Sequence, residues 1–200
     1  MRLEEINEKI VNKKKKIETI IKYFEDENSI KNGEPGLIIT NPKVFFDVIS
    51  LETVQGKAPQ VEKFLSKRLS WKKLSASENK GDFYDEESDK YIELKVSFPN
   101  KANTLNFRQI RLWQPVDFYV GIYVDEDILE NSLVFKISHE EMEKLILEHG
   151  CATHGTKQAN ENNNNIEYSY TLNLKNQALV NEWKEKYFDI QLYNQIFKEM

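Results

Sequence analysis

Ile92-Glu93-Leu94-Lys95-Val96-Ser97-Phe98 alternates apolar and polar residues without a break. A repeat of two is that of an extended strand lying on a core, so Ile92, Leu94, Val96 and Phe98 share one face and Glu93, Lys95 and Ser97 the other. Upstream, Phe83 and Tyr91 continue the apolar pattern around the polar stretch Glu86 to Asp89, which predicts a β-hairpin. Downstream, Pro99-Asn100 ends the strand, and the spacing over Ala102 to Gln114 predicts a crossover helix closed by Pro115. Val116 to Val124 is apolar on both faces, which predicts a buried central strand parallel to its neighbour across that helix. Ser132 to Ile137 reads as another strand. Ser138 with Glu141 then forms a capping box for a helix carrying Met142, Leu145 and Ile146, with Gly150 as its stop. This order of elements is that of an α/β layer.

Outside this centre, Leu3, Ile6, Ile10, Ile17, Ile20 and Phe24 recur at helical spacing, so residues 2 to 25 predict one amphipathic helix with Lys13 to Lys16 on its solvated face. It suits packing on the body or one half of a dimer contact. Asn32 to Gly36 reads as a loop, Leu37 to Thr40 as a short strand, and Pro42 to Leu51 as a helix with proline in its first turn. A second proline-started helix, Pro59 to Leu69, is expected to bury Val61, Phe64, Leu65 and Leu69 and to turn Glu62, Lys63 and Lys67 outward. Ala159 to Asn165 reads as a loop or mobile tip, Ile166 to Leu174 as a strand, and residues 176 to 199 as a closing helix with Leu179, Val180, Trp183, Tyr187 and Ile190.

With 200 residues, 40% hydrophobic and 30% charged, the chain has globular composition and room for one full core. No apolar run approaches the roughly 20 residues of a membrane span. The start Met1-Arg2-Leu3-Glu4-Glu5 does not read as an export signal, so the expected location is cytoplasmic. One cysteine, Cys151, and three histidines leave no material for a disulfide framework or a structural zinc site.

The net charge of -5 is unevenly spread. Lys57, Lys63, Lys67, Arg68, Lys72, Lys73 and Lys80 face only Glu62 and Glu78 within their segment, and acids then crowd Asp82 to Glu93. A basic segment running into carboxylates fits a phosphate-binding site that uses a metal, and equally a solvated helix followed by a charged hairpin. Asp82 or Asp85 on one strand and Glu93-Leu94-Lys95 on its hairpin partner would place two carboxylates and an ammonium on one polar patch. Two carboxylates suffice for Mg2+, which keeps several waters and takes further ligands from phosphates, and a lysine beside them can orient a water.

Gly81-Asp82, a hairpin, Glu93-Leu94-Lys95, a crossover and an apolar central strand together resemble the PD-(D/E)xK nuclease superfamily, in particular type II restriction endonucleases, over residues 59 to 137. The resemblance implies a restriction-endonuclease-like α/β core, a central mixed β-sheet flanked by helices. It also implies catalytic Asp82, Glu93 and Lys95, with Asp82 and Glu93 holding Mg2+. Gly81 stands where the superfamily pattern has proline. Similar enzymes add accessory groups, for which Glu62, Asp85, Gln109 and Arg111 are candidates. The chain then reads as one nuclease domain: residues 1–56 an N-terminal helical part, 57–137 the catalytic core, and 138–200 a C-terminal part.

Phosphate contacts are expected from Lys63, Lys67, Arg68, Lys72, Lys73 and Arg108. A recognition loop over 151–168 offers Thr153, His154, Thr156, Lys157 and Asn160 as short donors and acceptors for base edges. The implied activity is Mg2+-dependent cleavage of double-stranded DNA at a short specific sequence by a homodimer, alongside a DNA methyltransferase that masks the same site. The alternatives are a structure-specific nuclease, such as a junction resolvase or repair nickase, and a non-catalytic DNA-binding module.

Overall fold

β3, Lys90–Ser97, forms where the alternation predicts it and carries the candidate site. The computed structural model describes residues 3–25, 41–50, 54–75, 77–149 and 167–199. Ahead of β3 come α1 (Leu3–Glu25), α2 (Pro42–Ile49), α3 (Val54–Arg68), β1 (Lys72–Lys73) and β2 (Phe83–Asp85). After it come β4 (Thr104–Ile110), β5 (Phe118–Tyr123), β6 (Leu133–Ser138), α4 (His139–His149), β7 (Tyr168–Asn173), α5 (Gln177–Tyr187) and α6 (Ile190–Phe197).

The protein is α/β, with a mixed central sheet of order β1-β2-β3-β5-β6. β2 and β3 form the expected antiparallel hairpin, β3 and β5 run parallel in the register Glu93 to Tyr119 and Lys95 to Gly121, and β6 returns antiparallel to β5. On one face, Phe83, Ile92, Leu94, Val120 and Ile122 bury against Phe45 and Phe46 of α2, Phe64 and Leu65 of α3, and Leu192 and Ile196 of α6. On the other, Tyr119, Tyr123 and Phe135 meet Leu105 and Phe107 of β4, Met142 and Ile146 of α4, and Trp183 of α5. Trp183 anchors this second cluster by stacking on Tyr170 at 5.3 Å between ring centroids.

The expected crossover helix over Ala102 to Gln114 is instead strand β4, paired antiparallel with β7 in a separate two-stranded sheet. Leu105 and Phe107 alternate inward as a strand requires. A bulge between Phe107 and Ile110 inserts an extra residue, which returns Ile110 to the core at a spacing that mimics a helix. β4 lies close over the central sheet because Gly121 has no side chain: a Cβ there would stand 2.3 Å from Cζ of Phe107. Phe107 is fully buried and has nowhere to retreat. Gly121→Ala is therefore expected to destabilise the protein by about 1–3 kcal/mol through overpacking. A urea midpoint equal to that of the unsubstituted chain would show that the contact yields freely.

Other elements depart in smaller ways. α3 starts at Val54, so Pro59 lies inside the helix rather than opening it; Lys63 and Lys67 are exposed as expected. The closing helix is two helices, because Asp189 caps α6 at the Leu192 amide (2.9 Å) while Phe188 bridges to Phe135, and this leaves Ile190 exposed. In α1 the expected core residues Ile10 and Ile17 are exposed. The side turned inward carries Lys16, which bonds to the Glu126 carbonyl and lies 4.0 Å from Asp47, so the run Lys13 to Lys16 is not uniformly solvated. Ser138 accepts from the Glu141 amide (3.2 Å), as the capping box predicts. The Asn32 to Gly36 loop, the Leu37 to Thr40 strand, the Gly150 stop and the Ala159 to Asn165 tip lie outside the described residues.

Candidate active site

The site grows from the end of the hairpin. Gly81 has a φ of 95°, and a Cβ on it would stand 2.7 Å from the Ile92 carbonyl oxygen. Only glycine accommodates both conditions, and proline, with φ near -65°, could not adopt this backbone. The close approach lets the Asp82 amide donate to the Ile92 carbonyl (2.9 Å), and the Asp82 Oδ2 accepts from the Leu94 amide (2.8 Å). Asp82 thereby fills a ladder position that β2 leaves open, and its carboxylate is fixed at the edge of β3.

Glu93 and Lys95 share the face of β3 turned away from Ile92 and Leu94, and Lys95 Nζ donates to Glu93 Oε1 at 2.5 Å. Glu93 is buried and Lys95 half-buried. Burial, reinforced by the charge of Glu93, pushes the Asp82 carboxyl up to about 6, against the opposing pull of Lys95 and the Leu94 amide. Glu62 of α3 adds a smaller push in the same direction, so its carboxylate belongs to the same electrostatic neighbourhood. It is held by Lys73 at 2.7 Å. The three residues of the superfamily pattern therefore converge, with Glu62 alongside.

Asp85 does not join them. Its carboxylate accepts from the Glu87 amide (3.1 Å) and the Ser88 hydroxyl (2.6 Å), which ties it into the hairpin turn. Arg111 is likewise committed elsewhere, to Glu167 at 2.6 Å. Gln109 and Arg108 line the same cavity as Lys95 and Glu62, although on a bulged strand and not a helix. Of the expected phosphate contacts, Lys63, Lys67, Lys72 and Lys73 are exposed. Arg68 is corrected: its guanidinium is buried and donates to the Gln195 and Lys198 carbonyls at the end of α6, so it is a structural cap. Lys57, counted in the basic segment, is buried in an ion pair with Glu126. Thr153, His154, Thr156, Lys157, Asn160 and Cys151 lie outside the described residues.

Sequence reasoning missed Tyr119. It faces Glu93 in the β3 to β5 register, and its hydroxyl is buried with no hydrogen-bond partner among the described residues. Burial first, then Glu93 and Glu143, hold its pKa well above the ordinary phenol range. The strand carries three aromatic residues, Phe118, Tyr119 and Tyr123, so nothing in its pattern singles out Tyr119.

Among the described residues no group of three or more His, Cys, Asp and Glu side chains is placed to hold a metal ion. The site offers a cation the pair Asp82 and Glu93. Asp82, whose carboxyl resists ionisation chiefly through burial and then through the charge of Glu93, would make with Glu93 a donor set suited to Mg2+, which needs few protein ligands and completes its shell with water and phosphate. No helix among the described residues is long and apolar enough to cross a membrane. Neither a protein-family model nor any curated protein matches the chain.

Proposed function

We propose that this protein is a Mg2+-dependent endodeoxyribonuclease of the type II restriction class, cleaving phosphodiester bonds of double-stranded DNA. The observation that carries this reading is the convergence of Asp82, Glu93 and Lys95 at one edge of β3. Asp82 and Glu93 would hold the cation. A purely binding site would gain nothing from two carboxylates there, since they repel phosphate. Bound Mg2+ supplies neutralisation of charge on the phosphoryl oxygens and a water of lowered pKa. Lys95, fixed by Glu93, positions the attacking water. The exposed lysines Lys63, Lys67, Lys72 and Lys73 hold the DNA backbone by charge, and binding should therefore weaken steeply with salt. Sequence specificity, the homodimer and the companion methyltransferase belong to the same reading.

Incubation of the protein with supercoiled plasmid and Mg2+ tests it. Discrete linear fragments are the expected result. Nicked circles, or cleavage confined to branched substrates, would move the assignment to a junction resolvase or repair nickase built on the same residues. Plasmid that is retained but intact at every Mg2+ concentration would overturn the nuclease reading.

A further inference from the structure

The geometry of β4 points to a nucleotide subsite beside the carboxylate pair, and we propose that the cavity bounded by Lys95, Phe98, Arg108 and Gln109 takes one nucleotide of the substrate strand, swung out of the base stack. This inference rests on the nuclease reading and names how that site would hold its substrate. The cavity measures about 390 Å³, within the range of small-ligand sites, and its walls include Glu62 and Lys95 of the candidate active site. An occupant therefore lies against Lys95, the residue that would position the attacking water, and one side chain away from Glu93, to which Lys95 is bonded.

The wall is built by a specific backbone device. Leu105 and Phe107 point into the core, and Asn106 points outward. The bulge then turns two successive residues, Arg108 and Gln109, outward before Ile110 returns to the core. Bulges re-aim side chains in this way at the rims of sites. Five non-glycine residues among those described have positive φ, and the other four are Ser, Asn or Asp in turns and connections. Gln109, at φ 54°, is the one within a strand. Glutamine lacks the local hydrogen bonding that eases Asn or Asp into this region, so the conformation costs stability and buys only the side-chain direction.

The neighbouring polar groups are already committed. Asn106 donates to Thr104 and accepts from Thr171, and the Ser97 hydroxyl accepts from the Asn106 amide. The side chains of Arg108 and Gln109 are exposed and make no hydrogen bond or ion pair among the described residues. A free guanidinium matches a phosphate in bidentate geometry. A free amide can pair with a base edge, and Phe98 with Val96 and Pro99 supplies an apolar surface for the base. A bare phosphate site would need the arginine and would have no use for the apolar wall.

Calorimetric titration of the full chain in Mg2+ with the four deoxynucleoside 5′-monophosphates, 2-deoxyribose 5-phosphate and inorganic phosphate tests the subsite. At least one nucleotide is expected to bind about tenfold more tightly than deoxyribose phosphate, and Arg108→Ala to weaken it by about tenfold while Lys144→Ala leaves it unchanged. Gln109→Gly should weaken nucleotide binding and yet raise the denaturation midpoint, a pairing that a merely structural role would not produce. Equal binding of nucleotide and inorganic phosphate, or an unchanged affinity in Arg108→Ala, would overturn the subsite. Such a failure with plasmid cleavage intact leaves the nuclease reading standing. Arg108-dependent nucleotide binding in a protein that cuts no DNA would sink the nuclease reading and keep the subsite.

Discussion

Lys95→Ala is expected to lower plasmid cleavage by about 10³-fold, the scale of losing a positioned group that handles the attacking water, while DNA retention survives. The separation follows from where the residue lies. Lys95 is half-buried and bonded to Glu93, whereas Lys63, Lys67 and Lys72 are exposed on other elements and remain to hold the backbone. Removing the ammonium also leaves the buried Glu93 without its counter-charge beside Asp82, so some stability should be lost as well. Lys95→Arg separates the two effects. It restores a cation next to Glu93 and hence stability, but its planar fork cannot place a water where a lysine ammonium does, so cleavage should stay low. The readouts are initial cleavage rate, gel retardation in Ca2+ and urea midpoint on the same three proteins. Cleavage by Lys95→Ala at the unsubstituted rate would mean that the chemistry lies elsewhere.

How much of this was legible in the sequence depended on whether a residue's surroundings were local. Strand alternation placed Glu93 and Lys95 on one face of β3, and the turn at Glu86 to Asp89 brought Asp82 beside them; both are short-range facts. The choice between Asp82 and Asp85 was not legible. It is decided by the backbone of Gly81 against the Ile92 carbonyl and by the turn that occupies Asp85. β4 was misread for a related reason: one inserted residue near Gln109 converts a repeat of two into a spacing that passes for a helical one. Arg68 looked like a free cation because the carbonyls it caps, Gln195 and Lys198, lie more than a hundred residues away in the chain. Long-range partners of this kind leave no periodic trace. The same bulge that defeated the reading of β4 is what aims Arg108 and Gln109 at the cavity, so the local irregularity marks the place where function is expected.

Asp82→Asn is expected to make the protein more stable at neutral pH while abolishing cleavage. The folded protein raises the Asp82 carboxyl from an ordinary 3.8 to about 6, chiefly by burial and then by Glu93. A raised acid pKa means that folding favours the protonated form, so this group's contribution to stability is fully present below the unfolded value and is lost as pH rises through the folded one. Above about pH 6 the folded chain carries a carboxylate it holds less comfortably than the unfolded chain does, at a cost on the order of 3 kcal/mol. Asparagine removes the charge and keeps an oxygen for the Leu94 amide, so most of that cost should be recovered at about pH 7 and none of it below about pH 4. Mg2+ should reverse the ranking in part, because a cation bound by Asp82 and Glu93 stabilises only the chain that retains both carboxylates. Urea denaturation of the two proteins across this pH range, with and without Mg2+, reads all three effects. An asparagine variant that is less stable at neutral pH, or that gains as much from Mg2+ as the unsubstituted chain, would show that Asp82 is held by something other than burial beside a second acid.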